Sequence, residues 1–203
     1  LRVHGGAINK DESQPRTPYK QSRSQHFAEK TAIALAALHY LPESGTIFIG
    51  GGTTTYQLAL RIPPGRGIAV TTNSLDIGAH LASTGTAPVD LVGGTVRPDS
   101  LQTNCEESLD TLFWDVTFMG LAAIDINRGI TTDNRATAKQ EQTVLKHGGK
   151  FVALCDSSKI GRFAYAQVAK INLIDVLVTD TGAAPEFIRQ MESEGVEVVV
   201  AEW

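Results

Sequence analysis

The sequence predicts an α/β domain built on a largely parallel sheet with helices on both faces, and three observations carry that reading. Short apolar runs recur without polar alternation, at 46–49, 68–72, 89–92, 116–120, 151–155, 176–179 and 196–201. Runs of this kind belong to strands buried on both sides, as parallel strands are; half-exposed strands alternate. Most are followed by a stretch of helical character, the alternation that winds a parallel sheet. Finally, 203 residues with 42% hydrophobic content suffice for one well-buried domain of this class.

The elements follow in order. Residues 1–20, rich in Gly, Pro, Gln, Arg and Lys without an apolar period, read as an extended arm or linker. A helix is expected over 22–41, with Phe27, Ile33, Leu35, Leu38 and Leu41 as its apolar face and Pro42 as its stop. Ser22 and Gln25 have capping-box spacing. The strand at 46–49 runs through Gly50-Gly51-Gly52-Thr53-Thr54-Thr55 into a helix over 56–62, and the strand at 68–72 leads to a helix over 74–82. The strand at 89–92 ends in Gly93-Gly94, and a helix over 106–113 precedes the strand at 116–120. A loop with Asn127-Arg128-Gly129 leads to a helix over 135–146, and the strand at 151–155 ends at Asp156-Ser157-Ser158-Lys159. A helix over 185–193 separates the last two strands.

Composition excludes several classes of function. With 18 basic and 22 acidic residues the formal charge is -4, too little field of the right sign to collect a polyanion. Cys105 and Cys155 lie far apart in apolar or amphipathic segments, as reduced core thiols of a cytoplasmic protein do. No apolar run approaches bilayer-spanning length, so a membrane role is not expected. The five histidines, His4, His26, His39, His80 and His147, show no metal-ligand spacing, so no metal site is expected, and no cofactor motif is evident. Ser157 and Ser158 lack a nucleophile elbow, and Trp114 and Trp203 read as packing residues.

In parallel sheets ligands bind beyond the carboxyl ends of the strands, so the residues placed there carry the functional information. They are Gly51, Gly52, Thr53, Thr54 and Thr55, then Thr72, Asn73 and Ser74, then Gly93 and Gly94, and finally Asp156 and Lys159. A glycine turn entering a helix offers free N–H groups, threonines add hydroxyl donors, and Lys159 adds a point charge: together, an oxyanion or phosphate cradle. Each segment also has a plainer reading. The glycines serve tight turn geometry, Asn73 or Ser74 caps the next helix, and 156–159 is a solvated turn. Neither a nucleotide P-loop nor the dinucleotide glycine fingerprint is present.

The ordered set of Leu1-Arg2-Val3-His4-Gly5-Gly6-Ala7, the block at 47–55, Thr72-Asn73-Ser74, Gly93-Gly94, Gly129-Ile130-Thr131-Thr132, Asp156-Ser157-Ser158-Lys159 and Thr179-Asp180 resembles the effector-sensing domain of DeoR-family transcriptional regulators. The resemblance implies a fold similar to the ribose-5-phosphate isomerase and CoA-transferase group, and a phosphorylated sugar as effector. It implies that Gly52 to Thr55 hold the phosphate while Thr72, Asn73, Gly93, Gly94 and Lys159 line the rest. It also implies a winged helix-turn-helix domain ahead of residue 1, with 1–20 as the joining arm and 21–203 as the sensing domain, operator DNA bound through the former, and self-association as a dimer or tetramer. The expected function is that of a repressor of sugar metabolism genes whose operator binding the effector alters. Three departures stand out. Gly50-Gly51 replaces the Asp-Ser common in the family, Asn104 replaces a common Gly, and Thr137 and Glu141 stand where Glu and Lys are common.

A sugar-phosphate isomerase of the same fold is the alternative reading. That chemistry needs a positioned carboxylate base. The isomerases supply it in an Asp-Gly-Ala-Asp-Glu stretch, and the corresponding residues here are Met119-Gly120-Leu121-Ala122-Ala123. Asp125, Asp133 and Asp156 remain nearby in sequence, yet a sensor without catalysis is the expected role. CoA transfer would need a nucleophilic carboxylate, and none is assignable.

Overall fold

The computed structural model describes residues 2–3, 6–7, 19–104 and 109–202. Two short strands, β1 (Arg2–Val3) and β2 (Gly6–Ala7), pair antiparallel. The rest of the expected arm up to residue 18, Cys105, the first part of the helix expected over 106–113 and Trp203 lie outside the described residues.

Helix α1 (Tyr19–Ser24) is followed by a break and then by α2 (Phe27–Ala37), so the single helix expected over 22–41 is two. The break falls at His26, whose φ of 52° is left-handed and ends any continuous helix. Ser22 and Gln25 therefore cap nothing, since Ser22 lies inside α1 and Gln25 in the break. The expected apolar face is also shifted: Ile33 is fully buried, but Phe27 and Leu35 are 53% and 54% exposed. Lys30 is buried instead, and its ammonium donates to the carbonyls of Ser22 at 2.6 Å and Gln25 at 2.7 Å. That ammonium satisfies carbonyls at the end of α1 and ties α2 to it.

The chain then lays down β3 (Ser44–Ile49), α3 (Thr53–Ala59), β4 (Gly67–Thr72), α4 (Leu75–Thr84) and β5 (Val89–Leu91). A hairpin of β6 (Thr95–Arg97) and β7 (Gln102–Asn104) follows. After it come β8 (Trp114–Gly120), β9 (Ala123–Asp125) and β10 (Gly129–Thr132). Residues 109–113 form a turn and an irregular segment where a helix was expected. The chain continues through α5 (Arg135–His147), β11 (Gly148–Leu154), β12 (Ala166–Ala169), β13 (Val176–Asp180), α6 (Pro185–Ser193) and β14 (Glu197–Ala201).

Seven strands form one parallel sheet in the order β14-β13-β11-β8-β3-β4-β5. The α/β class, the parallel sheet and the helices on both faces are as the sequence predicts. One apolar cluster packs Ile33, Leu58, Ile77 and Leu81 of α2, α3 and α4 on Ile47, Ile49, Val70 and Phe118 of the sheet. The other packs Val144 of α5 and Phe187 and Met191 of α6 on Phe48, Met119, Phe151 and Leu177. Trp114 is buried edge-on to Phe48 at 5.1 Å, a packing role. A second sheet, β12-β10-β9, is antiparallel and was not legible as strands.

The topology fixes where a ligand can sit. From β3 the chain winds outward through β4 to β5; from β8 it winds the other way through β11 to β14. The winding reverses between β3 and β8, which leaves a crevice at their carboxyl ends.

Candidate functional site

A cleft of about 670 Å³ opens at that reversal. Its floor is made by the turns after the three central strands: Gly51 to Thr54 after β3, Gly120 to Ala123 after β8, and Asp156 and Lys159 after β11. The β9–β10 hairpin contributes Asp125, Asn127 and Arg128, and the β6–β7 hairpin contributes Asp99 and Gln102. Helix α1 brings Tyr19 and Ser22, and α5 brings Thr137 and Glu141.

Of the residues expected from the strand ends, Gly51, Gly52, Thr53, Thr54, Asp156 and Lys159 line the cleft. The others do not. Thr55 is buried, its hydroxyl donating to the Gly52 carbonyl at 3.1 Å. Thr72 donates to the Ile49 carbonyl at 2.6 Å and accepts from the Ser74 N–H at 3.1 Å. Asn73 accepts the Gly51 N–H on its Oδ1 at 2.8 Å, which ties the glycine turn to the end of β4. Ser74 is the N-cap residue of α4, and its hydroxyl meets Asp76. Thr55 and Asn73 hold the glycine turn itself, Thr72 ties the end of β4 to the end of β3, and Ser74 starts α4. Gly93 and Gly94 are exposed beyond β5, the edge strand, away from the reversal point.

Side chains of both signs face the cleft. Lys159, Arg128 and Arg162 supply positive charge, while Asp99, Asp125, Asp133, Glu141 and Asp156 supply acceptors. The Asp125 carboxylate accepts the N–H groups of Asn127 at 3.0 Å and Arg128 at 2.9 Å, shaping the hairpin turn, and the Arg128 guanidinium lies 3.4 Å over the Phe163 ring. Gly129 follows at φ +73°, where an added Cβ would lie 2.1 Å from the Ala169 carbonyl oxygen, so the Gly-Ile-Thr-Thr segment requires its glycine. The Ser158 hydroxyl donates to the buried Asp156 carboxylate. Deeper still, burial holds the Lys30 ammonium below the ordinary lysine range, Asp156 opposing that shift and Lys159 adding to it.

Helix α1 forms one wall and is fastened on several sides. The Tyr19 hydroxyl donates to Asp76 of α4, and burial with that contact pushes the phenol well up. The Tyr19 N–H reaches the Asp99 carbonyl at 3.2 Å, the Ser22 hydroxyl lies 3.4 Å from that of Thr53, and the Arg23 guanidinium sits 4.4 Å over Tyr56. Sequence reasoning did not anticipate Tyr19, Ser22 or Gln102 in the site. The first two lay in or beside the expected arm, and Gln102 sits in a polar three-residue strand with no apolar signature. Among the described residues no group of three or more His, Cys, Asp or Glu side chains is placed to hold a metal ion, and no helix is long and apolar enough to cross a membrane.

Comparison with known proteins places this chain in a family. The HTH-type transcriptional regulator GlpR of Haloferax volcanii is 31% identical over 201 residues, which cover 98% of this chain and 78% of that protein. The HTH-type transcriptional regulator UlaR of Salmonella arizonae is 32% identical over 204 residues, 98% of this chain and 79% of that protein. Ribose 5-phosphate isomerase A of Neisseria gonorrhoeae, 21% identical, aligns over 64% of this chain and about half (52%) of its own length with a TM-score of 0.46. The family model described as the DeoR C terminal sensor domain matches residues 25–181, and the chain belongs to that family.

Proposed function

We propose that this sensor domain binds a phosphorylated sugar in the cleft and that occupancy alters operator binding by a helix-turn-helix segment of the same regulator, repressing sugar metabolism genes. The observation that carries the reading is the mixed lining of the cleft at the winding reversal. Lys159 with the Thr53 and Thr54 hydroxyls suits a phosphate, and the neighbouring carboxylates and Gln102 suit a hydroxylated carbon chain. In this reading Gly52, Thr53, Thr54 and Lys159 hold the phosphate, Gly51, Thr55, Thr72, Asn73 and Ser74 keep the cradle in shape, and Gly93 and Gly94 are turn residues.

Residues 21–203 form the sensing unit in this proposal, and 1–20 join it to the DNA-binding segment. The relatives are HTH-type regulators, and paired half-sites on DNA call for a dimer or tetramer working in the cytoplasm. The domain is not an enzyme in this account. Gly120, Leu121, Ala122 and Ala123 leave the end of β8 without a carboxylate, and the Asp125 carboxylate is engaged by two backbone N–H groups.

The test uses the intact regulator on its operator DNA. A sugar phosphate that binds one arrangement of the protein more tightly shifts operator affinity by tenfold for about 1.4 kcal/mol of coupling. Operator affinity indifferent to every phosphosugar, or turnover of one of them, would contradict the reading.

A further inference from the structure

We propose that Gln102 reads the sugar portion of the effector, its side-chain carbonyl oxygen accepting a hydrogen bond from a hydroxyl of the carbon chain beside the phosphate cradle. The inference rests on the reading that the cleft takes a phosphorylated sugar, and it assigns the residue that tells one such sugar from another.

Gln102 stands on β7, is only 3% exposed and lines the cleft beside the glycine turn. Its amide nitrogen donates to the Gly51 carbonyl at 2.6 Å. A carbonyl accepts and never donates, so this contact sets which end of the amide is nitrogen and turns the oxygen the other way. Among the described residues that oxygen accepts no hydrogen bond. Facing the cleft with no protein donor, it is open to a donor from whatever occupies the cleft, and a ligand hydroxyl supplies one. The amide oxygen repels phosphate and carboxylate oxygens, so the group it selects is a hydroxyl.

The glycine turn is built around this side chain. A Cβ at Gly51 would lie 2.4 Å from Cγ of Gln102 and 2.8 Å from Cδ and Nε2, so a side chain at 51 and glutamine at 102 cannot share the space. The Gly51 N–H is held by Asn73 at 2.8 Å and its carbonyl by Gln102, so both peptide groups serve the shape of the turn. The register of β7 is pinned by the same neighbour, since the Thr103 N–H reaches the Asn73 carbonyl at 2.8 Å.

The experiment measures affinities of the wild type, Q102M and G51A for inorganic phosphate, glycerol 3-phosphate, ribose 5-phosphate, fructose 6-phosphate and glucose 6-phosphate. The wild type should bind at least one sugar phosphate more tightly than inorganic phosphate. Q102M should reduce that affinity about tenfold more than it reduces affinity for inorganic phosphate, the value of one neutral hydrogen bond beyond any effect on the turn. G51A, which displaces Gln102 and reshapes the turn, should lower sugar-phosphate affinity at least as much, and the double variant should be no worse than G51A alone. Equal losses for phosphate and sugar phosphate, an unaffected sugar phosphate, or no preference over inorganic phosphate in the wild type would overturn the assignment. If the wild type ignores inorganic phosphate yet binds a sugar phosphate in a Gln102-dependent way, the cradle reading falls and the assignment of Gln102 stands.

Discussion

Replacing Lys30 with methionine tests how the structure builds the wall of its cleft. The Lys30 ammonium makes two charge-assisted bonds, to the Ser22 and Gln25 carbonyls, and the residue is only 3% exposed. Such bonds contribute about 1.5–3 kcal/mol each, offset by the cost of keeping a charge out of water. Methionine keeps the packing of the stem and removes both donors, leaving two carbonyls at the junction of α1 and α2 without partners. A net loss of about 2–3 kcal/mol follows, which lowers Tm by about 5–10 °C for a domain of this size. Calorimetry or urea unfolding reads it directly. The pH dependence carries a sign. Because the folded-state pKa of Lys30 is depressed, the unfolded chain binds the proton more readily, so the wild type gains stability relative to the variant as pH rises toward the free lysine value of 10.5. An uncharged amine still donates to both carbonyls, so the bonds survive that titration. A Lys30→Met protein as stable as the wild type would refute the reasoning.

The remaining predictions concern core, backbone and thiol. Phe118, fully buried at the centre of the sheet, should cost about 3–5 kcal/mol on change to alanine, measured by urea unfolding. Leu101 holds a left-handed φ of 55°, so Leu101→Gly should raise stability by about 1 kcal/mol, and a loss in calorimetry would show that its side-chain contacts outweigh the strain. Burial, then Asp156, pushes the Cys155 thiol well above 9.0, so iodoacetamide should label it only on unfolding. A raised folded-state pKa gives stability that is intact below 9.0 and lost above it, so Cys155→Ala should flatten the alkaline decline expected of the wild type.

All seven parallel strands were legible because each is short and rich in apolar residues, β5 despite Asp90 at its centre, and the helices at 75–84, 135–147 and 185–193 because each fills the stretch between two such strands. The break at His26 was not, because periodicity runs through a left-handed residue without interruption, and a buried lysine reads as a surface residue. The β6–β7 hairpin has three-residue strands, with Gln102, Thr103 and Asn104 all polar, below any period signal. Gly93-Gly94 and Gly51-Gly52 look alike in sequence. Only the strand order separates them, since β5 ends at the sheet edge and β3 at the reversal point. The roles of Thr72, Asn73 and Ser74 likewise turn on which atoms face inward, and spacing alone left open whether they cap and support or touch a ligand.

The central claim is that the cleft recognises phosphate joined to a sugar, and thermal unfolding against matched phosphorylated and unphosphorylated sugars tests it most directly. At a hundredfold excess over Kd a ligand specific to the folded state adds about 2.7 kcal/mol, or about 5–10 °C. That shift is expected for phosphorylated members alone, and its loss in Thr53→Val and Lys159→Met. Equal shifts from unphosphorylated sugars, or none from any member of the pairs, would contradict it.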